Sequence, residues 1–92
     1  MARVELTSHL KTLFPALGPG DLTIEADTVF ALIDELDAQH PGIKFYLCDE
    51  MGRLRRHVNI FIDGELIIDR PRLSDRLEAT SNVFIVQALT GG

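Results

Sequence analysis

Cysteine, long apolar runs and positive charge are all scarce in this chain, and each shortage argues against a class of structure or function. Cys48 is the only cysteine among 92 residues. An internal disulfide and a zinc site built from several cysteines are therefore excluded. We expect Cys48 to be a small buried hydrophobic residue rather than a reactive thiol, because Asp49 and Glu50 follow it directly and would raise its pKa.

Long apolar runs are missing as well. No stretch approaches the roughly 20 apolar residues that cross a bilayer. The first five residues lack the apolar region of a signal peptide. We therefore expect a cytoplasmic protein that makes no contact with membranes.

Positive charge is outweighed by negative charge, with nine Lys and Arg against fourteen Asp and Glu and a formal net charge of −5. This balance argues against a nucleic-acid partner, whose binding depends on neutralised phosphates. It suits a protein partner with a basic face. The arginines fall into two groups that we interpret as solvated loop charge, with docking as the alternative: Arg53, Arg55 and Arg56, then Arg70, Arg72 and Arg76.

Catalytic and ligand-binding motifs are also lacking. The chain has no G-x-x-x-x-G-K-[ST] phosphate loop and no glycine-rich nucleotide fingerprint. His9, His40 and His57 do not have the spacing of metal ligands. We see no nucleophile paired with a base. The sequence therefore predicts no bound metal, no bound cofactor and no catalytic centre of its own.

What the chain does have is a clear order of strands and helices. Residues 3–8 alternate in polarity and predict a first strand, and residues 22–26 predict a second strand after the turn at 18–21. The segment between them, 9–17, is ambiguous. Thr28 and Asp27 are good N-cap residues for the helix that follows, whose apolar stripe is Val29, Leu32, Ile33 and Leu36.

The second half is richer in strands. Pro41-Gly42 ends the main helix, and residues 43–47 predict a short helical turn. Residues 58–62 predict a third strand, Asp63-Gly64 a hairpin, and 66–68 a short fourth strand. Residues 69–82 predict a loop with one helical turn around 74–77. Residues 83–89 predict a last strand that is apolar on both faces and so lies centrally in the sheet.

This order of elements is the β-grasp arrangement of ubiquitin. We predict an α+β fold in which a mixed sheet of four or five strands packs on one main helix. We expect a single domain over residues 1–92, with residues 88–92 as an extended, flexible Gly-Gly tail.

The tail itself suggests a chemistry. The chain as given ends in Gly91-Gly92, after an apolar run at 83–86 and a short bridge at 87–90. Two residues without side chains can enter a narrow slot and present the α-carboxyl group of Gly92. We interpret that carboxyl as the reactive group, and the alternative is a frayed terminus without a function.

Several segments together resemble the MoaD/ThiS sulfur-carrier proteins, which are small ubiquitin-like β-grasp domains that end in Gly-Gly. The resemblance is strongest over residues 41–43, 49–65 and 88–92, and it includes the Val-Asn-Ile-Phe run at 58–61 with Asp63-Gly64. The long segment between the main helix and the third strand is more similar to the MoaD and CysO-type branches than to the compact thiamine carriers.

The resemblance implies a specific chemistry at Gly92. An E1-like adenylyltransferase of the MoeB/ThiF type uses ATP to adenylate its carboxyl, a sulfur donor displaces AMP, and the resulting thiocarboxylate passes sulfur to a synthase. The chain is then a carried substrate, or the small subunit of a sulfur-transfer enzyme such as molybdopterin synthase, and ATP is bound by the activating partner. The recipient stays open among a molybdopterin precursor, a thiazole precursor and an activated serine, with the thiazole the least favoured.

Strand parity indicates a face for the partner. If Val58, Ile60 and Ile62 face the helix, then Asn59 and Phe61 face away from it. The resemblance places further residues on this docking surface, namely Phe84, Val86, Leu89 and Thr90. An aromatic side chain on an open sheet is a plausible anchor. The alternative is that the loop 69–82 covers part of this face.

Two other functions remain open at this level. A ubiquitin-like modifier would use the same activated Gly92 to form isopeptide bonds with lysines of target proteins. With only Lys11 and Lys44 in the chain, self-linked chains would have few sites. A β-grasp binding subunit with an inert tail is the third possibility.

Overall fold

The computed structural model describes residues 1–87, which form a five-stranded sheet with helices packed on one side of it. In chain order the elements are β1 (Ala2–Leu6), α1 (Ser8–Leu13), a 3₁₀ turn (Pro15–Leu17), β2 (Leu22–Ile24), α2 (Val29–Gln39), α3 (Ile43–Leu47), β3 (Val58–Ile62), β4 (Glu65–Leu66) and β5 (Asn82–Gln87).

The five strands form one mixed sheet in the order β2-β1-β5-β3-β4. β5 lies at its centre, parallel to β1 and antiparallel to β3. The predicted β-grasp fold and the central place of the last strand are confirmed. Val83 and Ile85 of β5 are buried against the helices. The predicted continuation of β5 and the tail, residues 88–92, lies outside the described residues.

The main helix α2 follows from its sequence pattern. The Oγ1 of Thr28 accepts a hydrogen bond from the N–H of Ala31 at 3.1 Å, so Thr28 is the N-cap. All four residues of the predicted stripe are buried, which confirms the helix and its inward face. In the last turn of α2, Asp37 accepts hydrogen bonds from the backbone N–H groups of Gly42 and Lys44, which follow the helix. Gly42 has a φ of 102°, which suits glycine and lets the chain turn into α3.

The segment between β1 and β2 is helical. Strand β1 ends at Leu6, so the first strand is shorter than the predicted 3–8, and Ser8 begins α1. The N–H groups of Leu10 and Lys11 donate to the carbonyl of Thr7, which starts the helix. Leu10 is fully buried and anchors α1 on the core.

The hairpin between β3 and β4 has the predicted two-residue loop. Asp63 and Gly64 have positive φ angles of 50° and 86°, and Ile62 pairs with Glu65 on either side of them. The predicted fourth strand, 66–68, is displaced, because β4 spans Glu65–Leu66 only. The N–H groups of Ile68 and Asp69 donate to the carboxylate of Asp75 instead, which draws the chain away from β3.

The helical turn predicted around 74–77 is wrong. The backbone there is extended, and Arg76 forms a β-bridge with Thr28. The first N–H groups of α2 explain this conformation, because they have no partner within the helix itself. Phe30 donates to the carbonyl of Leu73 at 2.8 Å and Val29 donates to that of Asp75 at 3.0 Å. The loop therefore completes the N-terminus of α2.

Over residues 1–87, no helix is both long enough and apolar enough to span a bilayer.

Candidate functional site

One face of the sheet is left open by the helices, and we call it the open face. Parity along β3 is as predicted, since Val58 and Ile60 are fully buried while Asn59 and Phe61 are partly exposed on the other side. Along β5, Val83 and Ile85 are buried while Phe84 and Val86 point to the open face. The predicted docking residues of the described chain therefore share one surface.

The centre of the open face is aromatic. Phe61 and Phe84 are directly opposite each other in the β3–β5 register. Their ring centroids are 6.4 Å apart, with an angle of 31° between the ring planes. Phe84 is 37% exposed, which is high for a phenylalanine in a central strand. Aromatic pairs of this kind, exposed on a rigid sheet, are suited to anchor a protein partner.

Leu66 extends this apolar surface, and the sequence analysis did not identify it as a docking residue. It pairs with Phe61 across β3 and β4 and is 55% exposed. Phe84, Phe61 and Leu66 thus form a row across three strands, which we call the apolar row. The Asp63-Gly64 signal could have revealed Leu66, because a two-residue loop places Ile62 opposite Glu65 and Phe61 opposite Leu66.

Polar groups border the apolar row on the side of β1 and β2. Beside it lies a shallow groove whose lining includes Arg3, Glu5, Asp21, Asn82 and the two phenylalanines. Arg3 is paired with Asp21, with 2.7 Å between Nε and Oδ2. Glu5 is next to Phe84 in the β1–β5 register and is exposed. An apolar centre with a charged rim is the usual composition of a protein-binding surface.

Asn59 differs from the other predicted residues because its side chain already has a partner. The guanidinium of Arg70 donates to its Oδ1 at 3.2 Å. The same group donates to the carbonyls of Arg55 at 2.7 Å and Val58 at 2.9 Å. Arg70 therefore attaches the 69–82 loop to the start of β3. Phe61 and Phe84 are only partly buried, so the loop does not close over the apolar row.

The two arginine groups are not uniform basic patches. Arg53 pairs with Asp49 at 3.1 Å, and Arg55 donates to the carbonyl of Phe45. The guanidinium of Arg70 makes the three hydrogen bonds just described. Arg56 and Arg72 are exposed, in keeping with solvated charge.

Cys48 is buried, as predicted. Burial raises the pKa of its thiol, and this outweighs the opposing effect of the nearby Lys44 ammonium. A buried, protonated thiol is a poor nucleophile. Within residues 1–87, no three His, Cys, Asp or Glu side chains come together as a metal site.

Four of the predicted site residues lie outside the described part of the chain, namely Leu89, Thr90, Gly91 and Gly92. The last described residue is Gln87, at the end of the central strand. The open face and the end of β5 are therefore adjacent, because Val86 belongs to both.

The fold and the apolar row define a ubiquitin-like β-grasp protein with an open face suited to a protein partner. A family model described as "ThiS family" matches residues 13–92. The chain belongs to the ThiS family, and the predicted family resemblance is confirmed.

Individual relatives agree with this assignment. The chain is 31% identical to the sulfur carrier protein CysO of Mycobacterium tuberculosis over 77 residues, which cover 82% of this chain and 83% of the relative. CysO of Mycobacterium bovis matches to the same extent.

Solved structures show the same fold. A chain in the crystal structure of the Amycolatopsis orientalis BexX/CysO complex has a TM-score of 0.85 at 25% identity, with complete coverage of both chains. The M. tuberculosis CysO structure has a TM-score of 0.82 at 26% identity, covering 97% of this chain and 100% of the other. SAMP1 from Haloferax volcanii has a TM-score of 0.75 at 20% identity over 99% and 98% of the two chains, which is a likeness of fold alone.

Proposed function

We propose that this protein is a sulfur carrier whose C-terminal Gly92 is converted to a thiocarboxylate. The observation that supports this most is its 31% identity to proteins named sulfur carrier protein CysO, over 82% of the chain. The ThiS family match, which extends to Gly92, supports the same role.

The chemistry begins with a carboxylate, which is a poor electrophile and must be activated. An oxygen of the Gly92 carboxylate attacks the α-phosphate of ATP and expels pyrophosphate. The sulfur of a donor then attacks the acyl carbon, and AMP leaves. ATP is bound by the activating enzyme, an E1-like adenylyltransferase of the MoeB/ThiF type, and this chain serves as the carried substrate.

In this scheme, residues 1–87 bind the activating enzyme and take no part in the reaction itself. The apolar row offers Phe61, Phe84 and Leu66 to the enzyme, and these side chains are held by a sheet with a buried opposite side. A rigid anchor of this kind limits the entropy lost on binding. The enzyme can then hold the tail residues Leu89, Thr90, Gly91 and Gly92 in its cleft.

Among the possible sulfur recipients, the relatives favour the CysO-type branch. Both of the curated relatives described above carry that name. We therefore propose an enzyme that uses an activated serine as the sulfur-accepting partner, ahead of a molybdopterin synthase. A cytoplasmic location and a role as the small subunit of a sulfur-transfer enzyme stay predictions.

The protein-modifier function is less well supported. The likeness to small archaeal modifier proteins rests on identities of 19–22%, which carry the fold but no activity. Conjugation would leave high-mass adducts in cell extracts that disappear when Gly91 and Gly92 are deleted. A sulfur carrier would leave none.

Deletion of Gly91 and Gly92 is expected to abolish activation completely. We would measure ATP–pyrophosphate exchange by the purified activating enzyme of the same organism, with the full chain and the shortened chain as substrates. The shortened chain should give only the background exchange. Its C-terminal carboxyl group belongs to Thr90 and so lies two residues short of the position that Gly92 reaches. Its melting temperature should be unchanged, because the two glycines have no side chains that could pack in a hydrophobic core. Exchange at the full rate with the folded, shortened chain would contradict the carrier function.

A further inference from the structure

A second exposed apolar surface lies on the helical side of the sheet, and the proposed docking on the open face does not use it. We call it the α3 patch, and it consists of Phe45, Tyr46 and Arg55. Phe45 is 73% exposed and Tyr46 is 41% exposed, although both belong to a helix whose other apolar residues are fully buried. Two adjacent exposed aromatic residues are uncommon on a surface that only faces water.

The side chains of the α3 patch are held in place. The Nε of Arg55 donates to the carbonyl of Phe45 at 2.9 Å, and its guanidinium lies 5.7 Å from the centroid of the Phe45 ring. Tyr46 meets Phe14 edge to face, with the ring centroids 5.5 Å apart. Tyrosine and arginine are among the residue types most enriched at the energetic centres of protein interfaces.

The patch borders the end of the central strand. A shallow groove is lined by Phe45, Tyr46, Arg55, His57 and Gln87. The side chain of Gln87 lies in this groove, with its Nε2 3.3 Å from the Nε2 of His57. Val86, the preceding residue, belongs to the open face. The end of β5 therefore lies between the open face on one side and the α3 patch on the other.

We propose that the α3 patch is a second contact surface for the enzyme that adenylates Gly92. This inference rests on the proposed function. A segment of five residues, 88–92, spans at most about 18 Å even when fully extended, at roughly 3.3–3.6 Å per residue. An enzyme that holds Gly92 in a cleft must therefore bring its own surface close to Gln87. The α3 patch lines the same groove as Gln87 and is suited to meet that surface.

The positive charge near the α3 patch indicates which residues the enzyme should present to it. Arg53, Arg55 and Arg56 lie within four residues of one another, together with His57, in a chain whose net charge is −5. Among residues 1–87, Arg53 is the one member of this group that pairs with a carboxylate, that of Asp49. The matching region of the enzyme should be an apolar surface with Asp or Glu at its rim, which would pair with Arg55.

The test compares two phenylalanine variants in the ATP–pyrophosphate exchange assay with the full chain. Phe45→Ser should raise KM at least tenfold and leave kcat unchanged, because it removes binding without touching Gly92. Phe30→Ser is the matched control, since Phe30 is 49% exposed on α2 and does not line the groove. It should change KM less than twofold. Circular dichroism should show that both variants are folded.

A charge reversal gives a second measurement. Arg55→Glu should slow association with the enzyme at least fivefold at low salt, and the difference should shrink as salt is added. An unchanged KM for folded Phe45→Ser would overturn the inference, and so would equal losses in Phe45→Ser and Phe30→Ser. If the unaltered chain gives no exchange at all, the proposed function itself is wrong.

Discussion

The Phe61→Asp variant is expected to remain folded and to lose at least a hundredfold in kcat/KM for adenylation. Phe61 occupies the centre of the apolar row, where Phe84 and Leu66 flank it on the neighbouring strands. A carboxylate at this point would have to be desolvated against the apolar surface of the enzyme, and its cost would exceed any contact that it could make. A hundredfold loss corresponds to about 2.7 kcal/mol, which is typical for an interface hot spot.

Folding and docking can be separated in this experiment. Phe61 is only partly buried and lies on the side of β3 opposite the core, so the melting temperature should fall by no more than a few degrees. Ile68→Asp is the matched control, because Ile68 is 91% exposed and lies outside the apolar row. It should be adenylated at the normal rate. A folded Phe61→Asp protein with normal kcat/KM would show that the open face is not the docking surface.

The Arg70→Met variant is expected to lower the free energy of unfolding by about 2–3 kcal/mol. The Arg70 guanidinium donates three hydrogen bonds, to the carbonyls of Arg55 and Val58 and to the side chain of Asn59. Methionine keeps much of the apolar stem but donates none of these bonds, so partly buried acceptors would lose their partner. Urea unfolding followed by circular dichroism measures the change.

Arg72→Met is the control for Arg70→Met. Arg72 belongs to the same arginine group but is exposed, and its backbone N–H, rather than its side chain, donates to Asp69. Its replacement should change the free energy of unfolding by less than about 0.5 kcal/mol. Equal effects of the two substitutions would mean that the contacts of Arg70 add no stability beyond an ordinary surface charge.

Much of the fold could be predicted because its signals are local. The apolar stripe of α2 follows its N-cap at Thr28, and the positive φ angles of the β3–β4 hairpin occur at Asp63-Gly64, where short polar residues and glycine favour them. The central place of β5 followed from its apolar residues on both faces. In each case the signal that predicts the feature lies within a few positions of it along the chain.

The failures have causes that are distant in sequence. The conformation of residues 74–77 is determined by the N–H groups of Val29 and Phe30, more than 40 positions earlier, which need the carbonyls of Asp75 and Leu73. No sequence pattern within the loop indicates that its carbonyl groups will accept these hydrogen bonds. The same is true of Arg70, which the sequence placed in a solvated cluster although its partners belong to the start of β3.

The candidate site could be predicted in part. Parity placed Phe61 and Phe84 on one face, but neither parity nor composition shows that they are direct neighbours, because that depends on strand order. The position of Leu66 could have been predicted from the two-residue hairpin loop. The α3 patch could not have been predicted, because the sequence of residues 43–47 indicates a short helix but not which of its aromatic side chains stay exposed.

Mass spectrometry of the C-terminal peptide tests the carrier function most directly. The chain would be co-expressed with its activating enzyme and a sulfur donor, and the peptide that contains Gly92 would be isolated and alkylated to trap a thiocarboxylate. Oxidation of Met51 or Cys48 gives nearly the same mass change, so the modification must be localised to the tail. We predict that one oxygen of the Gly92 carboxyl is replaced by sulfur. An unmodified Gly92 in the presence of an activating enzyme that adenylates it would contradict the account.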